Sequence, residues 1–334
     1  GRDALIQDLR TFTEGGSAPA IRTGSLVPNA SAPAFVYSGN GSQWAGMGKR
    51  LLKENETFRR AVEEVDALFR AHSGRSVLSE LQAPARQSRL QFTEVAQPAL
   101  FAVQVGLTRL LRERGIRPGA VCGHSVGEAA AAWACGILAF PQAVKLVHER
   151  SEQQAKTRGA GQMTAVALAA ADLESIIDSL ALAARVVIAG INSPRSVTVA
   201  GDREALAQLE AALALRRAAF RRLSLDYAFH APAMDPIREP LVRALSDAPN
   251  PLAPQPSQIA FYSTVTGGRL EGEALGAPYW WRNVRDPVCF RDAVRAMTDA
   301  GINIFVEIGP DAILRRYLDE CVKDAARQDG AFHA

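Results

Sequence analysis

The sequence predicts an α/β protein in two parts, a larger one built on a mostly parallel sheet and a smaller one inserted into it. Three observations carry this. The run Gly123-His124-Ser125-Val126-Gly127 stands between a short apolar run and an Ala-rich helical run, the strand, sharp turn and helix setting that gives a G-x-S-x-G match structural meaning. Strand-like runs alternate with helical patterns over most of the chain, the rhythm of a parallel sheet covered on both faces. Residues 162–224 parse by themselves as β-α-β-β-α-β, the split unit that closes into a small ferredoxin-like sheet.

With 334 residues, 48% of them hydrophobic, the chain can bury a sizeable core in one large domain with an insertion or in two domains. Its formal net charge of +3 is too small for a nucleic-acid footprint, and the pairs Arg216-Arg217 and Arg221-Arg222 read as solvated faces. Cys122, Cys135, Cys289 and Cys321 lie among apolar neighbours without metal-ligand spacing, so free thiols in a reducing, cytoplasmic setting are expected and no metal site is implied. Neither a membrane-spanning run nor a signal peptide is visible. A start at Gly1-Arg2 is what a piece of a longer chain, or a processed tag, would show.

In chain order, residues 1–33 carry a short helical pattern (Leu5, Leu9, Phe12) and then a Gly/Ser/Pro/Asn-rich passage that reads as a linker. Phe35-Val36-Tyr37 is a buried strand running into Ser38-Gly39-Asn40-Gly41-Ser42-Gln43-Trp44, a glycine-punctuated loop whose backbone amides can face a developing anion. It lacks the Gly-Lys-Ser/Thr ending of a phosphate loop, which excludes a nucleotide reading. Residues 94–113 form a core-facing helix with Pro98 in its first turn and Gln97 at its start. After the strand at 120–122 comes Ser125, presented by flanking glycines. Glu128, three residues on, also fits a capping box, so the motif alone leaves a capped turn open.

Residues 141–157 form a helix on which Arg150, taken alone, reads as an exposed arginine. The inserted unit follows, with strands at 164–167, 186–191, 197–200 and 219–223 and helices at 172–182 and 202–215, the second capped by Asp202. Its exit, Leu225-Asp226-Tyr227-Ala228-Phe229-His230, puts His230 at the seam between the parts, where clefts commonly form. A helix at 234–244, a strand at 259–262, a helix at 288–297, a strand at 304–308 and a closing helix to 322 complete the larger part. It thus spans 34–161 and 225–325, with a tail at 326–334.

A serine hydroxyl needs a base, usually histidine. Of His72, His124, His148, His230 and His333, only His230 sits at a seam, which makes it the candidate; no acid is singled out as a third member, and a carbonyl oxygen can take that place.

Taken together, Ser38-Gly39-Asn40-Gly41-Ser42-Gln43-Trp44, Gln97-Pro98-Ala99-Leu100, Gly123-His124-Ser125-Val126-Gly127-Glu128, Tyr227-Ala228-Phe229-His230, Tyr279-Trp280, Asn283 to Phe290 and Glu307-Ile308-Gly309-Pro310 resemble the malonyl-CoA:acyl carrier protein transacylase family. The resemblance is closest to the acyltransferase domain of a type I polyketide synthase and spans roughly residues 34–320. It implies an α/β-hydrolase-like larger part, with Ser125 as nucleophile and His230 as its base and later acid. It further implies the amides of Val126 and Asn40 as oxyanion hole, Arg150 as partner of the extender carboxylate, Gln97 lining the pocket, and the backbone carbonyl of Asn283 holding the histidine. Substrates would be malonyl-CoA and the phosphopantetheine thiol of an acyl carrier protein, beside a ketosynthase and other synthase domains, without metal or redox cofactor.

Two departures stand out. The loop reads Ser-Gly-Asn-Gly where the family commonly has Pro-Gly-Gln-Gly, a change that leaves the acting amide in place. Tyr227-Ala228-Phe229-His230 mixes the malonyl-type His-Ala-Phe-His and the methylmalonyl-type Tyr-Ala-Ser-His; bulky Phe229 would crowd a C2 methyl, so malonyl is expected and methylmalonyl is the alternative. An esterase using the same elbow, and a scaffold domain with an idle site, are the other readings.

Overall fold

A computed structural model describes residues 2–16, 18, 21, 29–247 and 249–328. The chain divides into two compact units, Gly1–Ser31 and Ala32–Ala334. In the first, the expected helix runs Arg2–Thr13 and buries no residue. Part of the expected linker, most of the tail and His333 lie outside the described residues.

The second unit holds two sheets. Its strands are β1 (Ala34–Tyr37), β2 (Ala120–Gly123), β3 (Gln162–Val166), β4 (Val186–Ser193), β5 (Ser196–Gly201), β6 (Phe220–Arg222), β7 (Ala260–Ser263), β8 (Gly268–Leu270) and β9 (Phe305–Ile308). The larger sheet has the order β8-β7-β2-β1-β9 and is parallel except for the β7–β8 hairpin. Strands β1 and β2 are buried on both faces, as their uninterrupted apolar runs require. The smaller sheet, β4-β5-β3-β6, is antiparallel throughout, with the helices Ala170–Ser179 and Arg203–Leu215 closing its own core around Leu173, Val199 and Leu206. Asp202 caps the second helix by accepting from the Ala205 amide at 2.9 Å, as read from sequence.

Several elements were not visible in the sequence. Between the glycine loop and residue 93 lie the helices Lys49–Glu54, Glu56–Ser73 and Val77–Gln82. Glu56–Ser73 is rich in charged residues, but Phe58, Val62, Val65 and Phe69 form a stripe that packs on the helix Thr93–Glu113. The helix Ala277–Arg285 was likewise unread. The helix expected at 234–244 is instead a 3-10 turn, Pro232–Ile237, followed by an α-helix, Arg238–Ser246, because Pro236 has no N–H to continue a single ladder. All four cysteines are free, Cys289 half-buried and the others buried. Among the described residues no helix is long and apolar enough to cross a membrane.

Candidate active site

Strand β2 ends at Gly123 and the helix Gly127–Ala134 begins four residues later, so the chain must turn at Ser125, whose φ of 54° is a rare conformation for a residue with a side chain. The flanking glycines are required by contact. A Cβ on Gly123 would lie 2.2 Å from the Glu128 amide nitrogen, and one on Gly127 would lie 2.3 Å from the Tyr37 carbonyl of β1. The turn therefore closes only with hydrogen at both positions, and it lifts the serine hydroxyl above the sheet.

His230, also at positive φ (58°), faces it from the seam. Its Nε2 is 2.8 Å from Ser125 Oγ and its Nδ1 is 2.9 Å from the Asp286 carbonyl oxygen. A carbonyl can only accept, so Nδ1 carries the proton and Nε2 is left as the basic nitrogen toward the serine. The expectation that the Asn283 carbonyl holds the ring is corrected: that contact is made by Asp286, just past the helix Ala277–Arg285. Inside the helix the Asn283 carbonyl points along the helix axis, whereas the Asp286 carbonyl, at the C-cap, is free to turn toward the ring. Burial, and next the neighbouring Arg150, push the His230 imidazole down to about 3, so the ring is neutral at physiological pH.

Arg150 is 1% exposed, which overturns its isolated reading as a surface residue. Its Nε donates to Asn283 Oδ1 (3.1 Å), Nη1 to Gln97 Oε1 (2.7 Å) and Gln154 Oε1 (2.8 Å), and Nη2 to Ser125 Oγ (3.1 Å). Of the five N–H bonds of a guanidinium these use four, and the one left over is on Nη2. Burial lowers the Arg150 pKa to about 9, which still leaves the group charged at neutral pH.

Asn283 thus serves through its side chain. Its Nδ2 donates to the Ser125 carbonyl (3.1 Å) and to Glu128 Oε2 (2.8 Å). Glu128 forms no capping box, since no side chain caps the helix it opens. Fully buried, it accepts from Tyr279 Oη (2.7 Å) and the Thr264 hydroxyl (2.9 Å) as well as Asn283, and desolvation raises its pKa to about 7 against those bonds. Sequence reading missed Asp286, Gln154 and this role of Glu128, because all three act across the fold.

The amides of Asn40 and Val126 donate to no atom among the described residues, and Asn40 lines the cavity above Ser125. That cavity, about 460 Å³, is lined by residues from the surroundings of both sheets, among them Ser125, His230 and Phe229. Tyr227 is buried behind it: Phe229 stacks on its ring at 4.8 Å, and its hydroxyl accepts from Arg158 Nε at 3.0 Å. Gln97 is buried among Thr93, Gln154 and Arg150 rather than on the cavity wall.

A serine on a strained elbow, a neutral histidine in the acceptor tautomer and two unspent amides define an enzyme that takes acyl groups onto an alcohol. Comparison with known proteins narrows the class. The profile of the acyl transferase domain family matches residues 34–332. Polyketide synthase GfsB of Streptomyces halstedii is 37% identical over 96% of this chain and 6% of its own length, and erythronolide synthase EryA2 of Saccharopolyspora erythraea is 35% identical over 99% and 9%. The chain therefore spans less than a tenth of these relatives. The crystal structure of the acyltransferase domain from module 8 of the salinomycin polyketide synthase superposes with a TM-score of 0.92 at 34% identity, covering 98% of this chain and 76% of that one. The chain belongs to the acyl transferase domain family and is an acyltransferase of the polyketide synthase type.

Proposed function

We propose that this domain takes malonyl from malonyl-CoA onto Ser125 and passes it to the phosphopantetheine thiol of an acyl carrier protein, beside a ketosynthase and other domains of a cytoplasmic synthase. The observation that carries the reading is the buried Arg150 guanidinium touching Ser125 Oγ with one N–H of Nη2 unspent. In acylation, Ser125 Oγ attacks the thioester carbonyl while its proton passes to His230 Nε2. The carbonyl oxygen gains charge facing the amides of Asn40 and Val126. Collapse breaks the C–S bond, and His230 returns the proton to the CoA thiolate. The carrier thiol reverses these steps, so atoms and charge balance on Ser125 and His230 without a metal or redox cofactor.

Once Oγ is esterified it is a poor acceptor, which frees the second Nη2 N–H for the free carboxylate of the extender. A plain acetyl group would leave that charged end unpaired, a buried cost that disfavours it. Phe229, stacked on Tyr227 in the cavity wall beside Ser125 and His230, leaves less room for a C2 methyl and favours malonyl over methylmalonyl.

Intact-protein mass spectrometry after brief incubation with equimolar malonyl-, methylmalonyl- and acetyl-CoA tests this, with Ser125→Ala alongside. A malonyl adduct absent from the variant is expected. A predominant methylmalonyl adduct would overturn the extender assignment, and rapid loss of the adduct to water without a carrier protein would favour a hydrolase.

A further inference from the structure

The sequence marks Arg221-Arg222 as a solvated basic pair, but the fold gives only Arg222 a carboxylate partner. Strand register pairs Arg221 with Ala165, Ala165 with Thr198 and Thr198 with Gly190, one row across the small sheet from β6 to β4. Alternate residues of a strand share a face, so this row presents a Gly, a Thr and an Ala ending in Arg221, and all four line the active-site cavity. Arg222 also lines the cavity, but it pairs with Thr164 and its side chain is engaged by Glu210, with Nε donating to Oε1 at 3.0 Å. Arg221 is exposed, and its side chain makes no ion pair or hydrogen bond among the described residues. Among the described residues no carboxylate lines the cavity.

The inner end of the row lies against the catalytic base. Gly190 bridges to Val288, whose amide donates to the Ala189 carbonyl at 3.0 Å, two residues from the Asp286 carbonyl that holds His230. The outer end is the edge strand β6. Three strand spacings separate the ends, roughly 14 Å. A floor of small side chains between a reactive serine and a free guanidinium suits a narrow arm with a thioester at one end and an anion at the other.

We propose that Arg221 is the seat of the 4′-phosphate of the pantetheine arm, the chemistry that CoA and a carrier-bound arm share. The inference rests on the acyl-transfer reading above. It places the donor and acceptor arms in one groove at successive steps, with the phosphate as the outer anchor in both.

The test compares acylation of Ser125 from malonyl-CoA, malonyl-phosphopantetheine and malonyl-pantetheine, which has no phosphate, in the wild type, Arg221→Ala and Arg221→Lys. Removal of one exposed charged contact should lower kcat/KM by about tenfold, roughly 1.4 kcal/mol. The expected result is that Arg221→Ala loses this much with both phosphorylated donors, mainly in KM, is unchanged with malonyl-pantetheine, and is largely restored in Arg221→Lys. Deacylation by phosphopantetheine and by pantetheine, run on the same variants, reads the carrier-side arm separately. Equal loss with all three donors, or no loss with any, overturns the seat. Loss with malonyl-CoA alone assigns Arg221 to the nucleotide phosphates and overturns the shared seat. A wild type that accepts none of the donors overturns the acyl-transfer reading as well.

Discussion

Glu128→Gln is the substitution that best isolates how the site is held. In its ionised form, present above a pKa of about 7, the Glu128 carboxylate can only accept, so Asn283 then turns its NH2 group toward Oε2 and its carbonyl toward Arg150 Nε. Glutamine is nearly isosteric but carries an NH2 of its own. Turned to the Thr264 side, that group meets a backbone N–H that cannot rotate away. Turned to the Asn283 side, it forces the asparagine amide to flip, setting donor against donor at Arg150. Either way one buried donor is left without an acceptor, a cost of about 1–3 kcal/mol. If the loss falls on Asn283, acylation by malonyl-CoA should drop roughly 5- to 150-fold, at ~1.4 kcal/mol per decade, with a smaller effect on acetyl-CoA. If it falls on Thr264, the same energy should show in denaturant unfolding. The pH dependence gives a second reading. Glu128 has its pKa raised from 4.5 to about 7 in the folded state, so its stabilising contribution is present below about pH 4.5 and lost as pH rises through 7. The wild type should therefore lose stability relative to the glutamine variant across that window. A variant with wild-type stability at every pH and an unchanged malonyl-to-acetyl ratio would refute the reasoning.

Arg150→Ala should cut malonyl loading about 100-fold or more while sparing acetyl loading, because two charge-assisted bonds to the carboxylate are lost; single-turnover rates with an unchanged preference would refute the clamp. The His230 imidazole should stay neutral down to well below its usual 6.5, since burial and Arg150 oppose its protonation, and an NMR titration with an inflection near pH 6.5 would contradict this. Phe229→Ser should raise methylmalonyl use relative to malonyl by about tenfold or somewhat more, the worth of one methyl group, measured by competition between the two CoA esters. Gly127→Ala should destabilise the protein by about 1–3 kcal/mol or abolish soluble expression, because its Cβ would press on the β1 backbone; a wild-type unfolding midpoint would show that the turn can relax.

Much of the architecture was legible in the chain itself. Period, length and punctuation are local signals, so the buried strands β1 and β2, the elbow that joins β2 to the helix Gly127–Ala134, and the β-α-β-β-α-β insertion could all be read, with Ser125 and His230 nominated by residue type and position. The helix Glu56–Ser73 escaped because its composition is charged and only its stripe is apolar. What tertiary structure alone decided are contacts between distant segments. Arg150 reads as a surface residue until Gln97, Gln154 and Asn283 surround it. Glu128 reads as a cap until Thr264 and Tyr279, more than a hundred residues away, supply its donors. The carbonyl that orients His230 comes from Asp286 rather than Asn283, a matter of where one helix ends. And Arg221 and Arg222, adjacent, chemically alike and both on the cavity wall, receive different surroundings because Glu210, on a helix of the small sheet, reaches only Arg222.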